Sequence, residues 1–446
     1  MLLSLTLIFS GFVKAVDPIG TQYKIHDYLE AAGMHELLPD IMTLGASVAM
    51  SLLEFSLGVF LLFAMMRKVV SKVVLLFMMV MTLVTVWIWI ADPVSDCGCF
   101  GDAIRLTNGE TLLKNIILLL MAGMVAWKPL KMPRFVTLSN QWIVFHYTVI
   151  FILAVSVWSL YYLPLFDFRP YHIGANIREG MEMPEGEKGP EFETTFIMEK
   201  DGERKEFSLE NYPDSTWTFI DSKTVQVSQG YVPPVHDFSI QLIAQNDSED
   251  EEDITEQVLT DEGYTFLLIS PHLENADDTN FGDIDMIYEY ASENGYKFYC
   301  LTASGDSAIH RWIDITGAEY QFCRTDETTL KTIIRSNPGL LLLKGGTVIN
   351  KWSHNALPAE DMMEAPLEKS SYGKVSADTT MQLIIMLLLW YVLPLTLLVL
   401  ADRLWLWTRW VKDKQKRTFG INPVLDDMLA EDIKNKNNNE KENCSR

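Results

Sequence analysis

The chain has 446 residues, room for two or three domains, and combines 48% hydrophobic residues and a mean hydropathy of +0.09 with a net charge of −23. The charge is segregated: residues 166–378 carry 41 acidic and 16 basic side chains, a net −25, and the remainder is +2. A strongly acidic soluble part fused to a nearly neutral apolar part excludes a nucleic-acid binder, and the acidic part is repelled by anionic lipid.

Six apolar stretches, at about 1–16, 41–66, 71–91, 111–127, 141–163 and 379–401, predict six transmembrane helices near the ~17–25 residues a bilayer core demands. The first lacks a basic leading segment and a small-residue cleavage site, so it reads as a retained helix rather than a signal peptide. Arg67, Lys68 and Lys72 flank one loop, Lys128, Lys131 and Arg134 lie in another, and Arg403, Arg409, Lys412, Lys414, Lys416 and Arg417 follow the last helix. With six alternating helices all three segments fall on one side, which the positive-inside rule makes cytoplasmic. The expected setting is the inner membrane of a bacterial cell, with both termini cytoplasmic and residues 164–378 periplasmic.

Cys97 and Cys99 lie in the polar loop Asp96-Cys97-Gly98-Cys99-Phe100-Gly101-Asp102 after the third apolar stretch. Gly98 can take the positive φ that lets the two thiols approach, and a bridge in so small a ring should be strained and exchangeable. The loop therefore reads as a redox dithiol. A structural turn disulfide is the competing reading, although so short a loop gains little from closure. Zinc would need two further ligands, and none lies nearby, so no metal site is expected. Asp92, Asp96 and Asp102 would raise the thiol pKa values and Arg105 would lower them. Glu54, deep in the second helix, is a functional candidate as a proton relay or cation partner, or else a carboxyl that holds the bundle together. Lys14 reads as a snorkelling interface residue paired with Asp17.

The segment Phe9-Ser10-Gly11-Phe12-Val13-Lys14-Ala15-Val16-Asp17-Pro18, then Glu54, then Cys97-Gly98-Cys99-Phe100-Gly101, resembles in order and spacing the DoxX-like/MauE family of small four-helix membrane proteins. The resemblance spans residues 1–130. It implies a protein of redox or maturation pathways. MauE-type members are associated with producing a disulfide-rich methylamine dehydrogenase subunit, and DoxX-type members with thiosulfate–quinone chemistry. A quinone is accordingly one expected electron acceptor, and a periplasmic thiol or disulfide protein the other.

Beyond the fifth helix at 141–163, residues 166–235 read as β-rich, with Phe192–Met198 and Lys205–Leu209 forming a hairpin about Asp201-Gly202. From 236 strands and helices alternate: strands at 264–270, 296–301, 319–323, 340–343 and 348–352, and helices near 281–294, 307–316 and 327–336. That order predicts an α/β unit closed by an antiparallel hairpin. Glu249–Asp253 reads as a solvated acidic loop.

His236-Asp237-Phe238-Ser239-Ile240 and Ser336-Asn337-Pro338-Gly339 carry a resemblance to the thioredoxin fold in its TlpA- or peroxiredoxin-like form, within a domain placed at 236–375. Pro338 then takes the place of the cis-proline. Where a thioredoxin carries its two cysteines this chain has Pro271-His272-Leu273-Glu274-Asn275, which holds no thiol, so the domain is expected to bind or dock. Cys300 and Cys323, on successive strands, are either a second thiol pair or packed core residues. His272 and His310 read as surface residues.

After the helix at 379–401, residues 402–446 form a cytoplasmic tail, disordered from 418 and carrying Cys444. The fold class expected is a multi-pass α-helical membrane bundle of six helices plus an α/β thioredoxin-like domain with a β-rich lead-in. Its expected function is thiol–disulfide exchange through Cys97 and Cys99. The alternative is a non-catalytic membrane scaffold whose thioredoxin-like domain binds a partner.

Overall fold

The computed structural model describes residues 1–34, 38–92, 94, 97–184, 186–189, 191–200, 203–208, 216–228, 230–243, 252–362, 364–375, 380–418 and 431. Asp96, the Asp201-Gly202 turn, most of the acidic loop and Cys444 lie outside the described residues.

Helix α1 (Leu2–Val16) meets α2 (Pro18–Ala31) at a 96° bend. The bend is written in the sequence: Asp17 caps α2 by accepting the Gly20 N–H at 2.8 Å, and Pro18 fills its first position, where the missing N–H costs nothing. The first expected helix, at about 1–16, is α1, and the bend follows it directly. Fifteen residues at 1.5 Å each fall short of a ~30 Å hydrocarbon core. Among the described residues five further helices are long and apolar enough to cross a membrane: α3 (Asp40–Leu62), α4 (Arg67–Ala91), α5 (Asn108–Trp127), α6 (Gln141–Tyr161) and the last helix, Thr380–Thr418. Counting the bent pair as one gives six.

At one end of this bundle Arg67 donates to the Leu130 and Met132 carbonyls at 2.8 and 2.6 Å, and buried Asp402 accepts from Thr137 and Asn140 at 2.8 Å. The basic segments of the sequence thus converge there. The dithiol loop and the sheet-rich part share the other end.

After the short α7 (Ile177–Met181), strands β1 (Glu191–Lys200), β2 (Glu203–Ser208) and β3 (Thr218–Ser228) form an antiparallel sheet of order β2-β1-β3. The hairpin is as expected, with Met198 opposite Lys205; the third strand was not foreseen.

The chain then builds β4 (Gln241–Leu242), β5 (Glu252–Asp253), α8 (Thr255–Leu259), β6 (Tyr264–Ser270), α9 (Phe281–Glu293), β7 (Lys297–Thr302), α10 (Asp306–Thr316), β8 (Gln321–Arg324), α11 (Glu327–Ile333), β9 (Gly339–Lys344), β10 (Thr347–Ser353) and α12 (Ala359–Met362). The membrane helix Thr380–Thr418 is α13. The sheet order is β10-β9-β6-β7-β8-β4-β5. Strands β6, β7 and β8 run parallel, and β9 and β10 close the sheet as an antiparallel hairpin. Strand β6 is buried throughout, as a central strand covered on both faces must be. The Asn337–Pro338 bond is cis, and Asn337 Nδ2 donates to the His272 carbonyl at 2.8 Å. This is the thioredoxin-like arrangement, with the cis-proline facing segment 271–275.

Register decides the fate of Cys300 and Cys323. Cys300 lies opposite Phe322, and Cys323 opposite Leu301. A one-residue offset sends the side chains to opposite faces of the sheet, where each enters a different core cluster. They cannot pair, and burial pushes both thiols up, Cys323 to about 12. The second-thiol-pair expectation is therefore replaced by the packed-core reading.

Candidate functional site: a buried dithiol beneath a polar chamber

The dithiol loop is pinned at both ends. Asp92 closes α4 in a left-handed conformation, and Asn108 Nδ2 donates to Asp92 Oδ1 and to the Val94 carbonyl, both at 2.8 Å. Thr107 and Glu110 form a capping box that starts α5. Between these anchors Gly98 has φ +58° and Gly101 +54°, and Gly101 N donates to the Gly98 carbonyl at 3.0 Å. The turn brings Cys97 Sγ within 3.0 Å of Cys99 Sγ.

Both thiols are buried and pack with Ile88, Tyr28 and Val94. Helix α2 lies over them: Tyr28 Oη donates to the Cys97 carbonyl, and Lys24 covers Gly98. From α1, Ser10 Oγ donates to the Cys99 carbonyl at 2.7 Å. Lys14 is not a snorkelling residue paired with Asp17, as its position suggested. It is buried, and its Nζ donates to Glu54 Oε2 at 2.6 Å and to Ser10 Oγ at 3.1 Å. Lys14 is thus the cation partner that one reading of Glu54 expected. Lys114 sits over the Phe100 ring, 4.2 Å from its centroid.

The two thiols are electrostatically unequal. The two sulfurs share one hydrogen bond, and that bond, then burial, pushes the Cys97 pKa up. The same bond, against the effect of burial and with Lys114 and Lys14 nearby, pulls Cys99 down to about 6. Cys99 is the thiol poised to ionise.

Above this loop, between it and the thioredoxin-like domain, lies a chamber of about 1020 Å³. Its floor includes Gly98, Gly101 and Asp102, its wall Tyr23 and Lys24 of α2, and its roof His272, Glu327, Arg335 and Asn337. Arg335, buried and two residues before Asn337, is held by both Asp17 oxygens at 2.9 and 3.1 Å and by Asp102 at 3.3 Å. Arg105 also lines the chamber and is exposed. His272 is less of a bystander than expected, since its Nε2 lies 3.0 Å from Glu327 Oε1 on the roof.

Sequence reasoning missed Tyr28, Lys114 and Arg335. Lys114 carried the same signal as Glu54, a charge within an apolar stretch. Arg335 carried only its closeness to Pro338.

A quinone was one expected acceptor. The crevice beside Cys99, lined by Ser10, Lys14, Glu54 and Lys114, measures about 20 Å³, space for about one water. A quinone ring does not fit that crevice. Among the described residues no cluster suited to a metal occurs.

Residues 1–128 match the family described as methylamine utilisation protein MauE and form a MauE domain. Residues 192–229, the three-stranded sheet, match a domain of unknown function, DUF8463. No curated protein matches the chain. Among solved structures, it is similar to a putative protein disulfide isomerase from Bacteroides thetaiotaomicron, at 13% identity over 28% of this chain and 79% of that one, with a TM-score of 0.21. It is also similar to the bacterioferritin comigratory protein of Xanthomonas campestris, at 11% identity over 30% of this chain and 91% of that one, with a TM-score of 0.23.

Proposed function

We propose that this membrane protein with a MauE domain and a thioredoxin-like domain exchanges disulfides through Cys97 and Cys99 with a thiol protein of the cell envelope. The observation that carries the reading is the 3.0 Å approach of two thiols of which one, Cys99, is held ionisable by its hydrogen bond with Cys97 and, beyond that, by Lys114 and Lys14. In the oxidising direction for the dithiol, the Cys99 thiolate attacks a partner disulfide, forming a mixed disulfide and releasing one partner thiolate. Cys97 then attacks Cys99 Sγ. The Cys97–Cys99 bridge forms, the second partner thiolate leaves, and the two protons of the dithiol end on the partner's sulfurs. The partner is reduced by two electrons and the dithiol oxidised by two. Run in reverse, the same exchange forms the partner's disulfide, so maturation of a disulfide-bearing envelope protein is a process this chemistry fits. The basic segments gathered at the far end favour the inner membrane of a bacterial cell, with those segments and both termini cytoplasmic and the thioredoxin-like domain periplasmic.

The test is mixed-disulfide trapping in cells. Cys97→Ser leaves the ionisable thiol without its resolving partner and should accumulate a mixed disulfide, seen on non-reducing gels and identified by mass spectrometry. Cys99→Ser should accumulate less. A scaffold is the second reading, favoured by the thiol-free segment 271–275 and by the burial of both cysteines. It predicts no trapped species and full function in the double serine variant, and that pair of results would end the exchange reading.

A further inference from the structure

We propose that Glu54 accepts the proton of the Cys99 thiol, and that Lys14 is the fixed cation which neutralises whichever of the two groups is anionic. The inference rests on the exchange reading and adds a proton route to it.

The geometry is that of a shared site. Lys14 and Glu54 face each other at 2.6 Å with side chains 3% and 6% exposed. Ser10 joins Lys14 Nζ at 3.1 Å to the Cys99 carbonyl at 2.7 Å. The crevice of about 20 Å³ touches Ser10, Lys14, Glu54 and Cys99, and one water there would bridge thiol and carboxylate. The close contact of α1 and α3 fixes this arrangement. A Cβ on Gly11 would fall 2.4 Å from Phe55 N, and one on Gly58 2.7 Å from Ile8 N.

The energetic reason is conservation of buried charge. An unpaired ion at such a site is strongly disfavoured by desolvation. Ionising Cys99 by releasing its proton to bulk water would add a buried anion. Passing it to Glu54 adds none. Before the step the site holds Cys99 as thiol, Glu54 as carboxylate and Lys14 as ammonium; after it, thiolate, carboxylic acid and ammonium. When the partner's first thiolate leaves, the Glu54 carboxyl protonates it. The regenerated carboxylate then takes the Cys97 proton as Cys97 attacks, and passes it to the second leaving thiolate. The charged and titratable groups facing Cys99 are Lys14 from α1, Tyr28 from α2, Glu54 from α3, Lys114 from α5 and Cys97 from its own loop; α4 contributes Ile88, Phe77, Met78 and Met81, which are apolar.

The experiment follows Cys99 alkylation by iodoacetamide against pH in the full-length protein in lipid nanodiscs, on a Cys97→Ser background, with mass spectrometry reporting each cysteine. Lys14→Met should move the Cys99 midpoint up, slowing alkylation at pH values below both midpoints about tenfold per unit moved. Glu54→Gln should move it down, because Lys14 is left with the thiolate as its only anion. With Cys97 intact, Glu54→Gln should also slow reaction with Ellman's reagent, a small aromatic disulfide, and Glu54→Asp should restore the rate. If Lys14→Met does not accumulate in membranes, the Glu54→Gln midpoint carries the test. Unmoved midpoints in the folded variants, with only thermal stability lowered, would overturn the proposal and leave a structural ion pair. Opposite shifts together with full cellular function of the double serine variant would overturn the exchange reading while the shared proton stands.

Discussion

Gly98 holds φ +58° between two cysteines, with Lys24 packed where a side chain would go. A β-branched residue in that conformation is strained by roughly 1–2 kcal/mol, and its Cβ would lie 3.0 Å from Lys24 Cγ. Gly98→Val should therefore reduce mixed-disulfide trapping severalfold, and Gly98→Ala less, measured at equal membrane abundance. Reactivity should also follow the Cys99 thiolate, rising with pH through about 6 and levelling above it. At this scale the sequence displayed the dithiol, the glycine that turns it and the buried Glu54. It could not display the partner of Lys14, because Asp17 three residues away is as good a match by spacing as Glu54 forty residues away. The bend after α1 decides: it turns Asp17 toward Arg335 and leaves Lys14 inside the bundle.

Helices α1 and α3 touch through glycine, and the element scale depends on that contact. With no room for a Cβ at Gly11, Gly11→Val forces the helices apart, at a cost of about 1–3 kcal/mol typical of overpacking. Thermal unfolding in detergent should show a lowered midpoint, and the Lys14–Glu54 pair should part with it. The membrane helices and strands β6 to β10 were legible from hydropathy and alternation, since these are local properties of the chain, whereas the two-residue strands β4 and β5 were not, and Glu252–Asp253 pairs as a strand where a loop was expected. The bend at Asp17-Pro18 was legible in its residues too, as a capping aspartate followed by proline. What alternation leaves open is register, and one residue of register separates a strand-to-strand thiol pair from two cysteines on opposite faces.

Arg335 ties the whole molecule together. It belongs to the thioredoxin-like domain, yet its ion pairs are with Asp17 at the α1–α2 bend and Asp102 in the dithiol loop. A second clamp lies nearby: Asp167, just beyond α6, meets Lys351 of β10 at 2.8 Å and Arg169 at 2.7 Å. Burial opposes ionisation of Asp167, but Lys351 and Arg169 hold its carboxyl well below the usual range. A carboxyl lowered in the folded state contributes stability above its unfolded value of about 4, and that contribution is lost as pH falls below it. Removing one partner of a buried pair costs about 3–5 kcal/mol, less where, as at Asp17 and Asp102, some water reaches the anion. Arg335→Ala should thus leave the thioredoxin-like domain folded but undocked, seen as faster limited proteolysis in the segment 163–175. Arg335→Lys should undock it partly, because an ammonium lacks the fixed fork by which Nε holds Asp17 while Nη2 holds Asp102. Unchanged proteolysis in both variants would show that the docking rests elsewhere.

By itself the sequence determined that this chain is an apolar helical bundle joined to an acidic α/β domain, that two thiols share a tight turn where the bundle ends, and that the domain's usual thiol position is empty of cysteine. Those facts follow from hydropathy, alternation and residue identity, which act over a few neighbours. Tertiary structure alone decided which thiol is ionisable, that Lys14 serves Glu54, and that the domain's cis-proline face closes a chamber over the dithiol loop. Lys14 meets Glu54 from 40 residues away and Arg335 meets Asp17 from more than 300, while Cys99 draws on Lys14 and Lys114 as well as on neighbouring Cys97; Coulomb energy and desolvation depend on distance in space, to which spacing along the chain is blind.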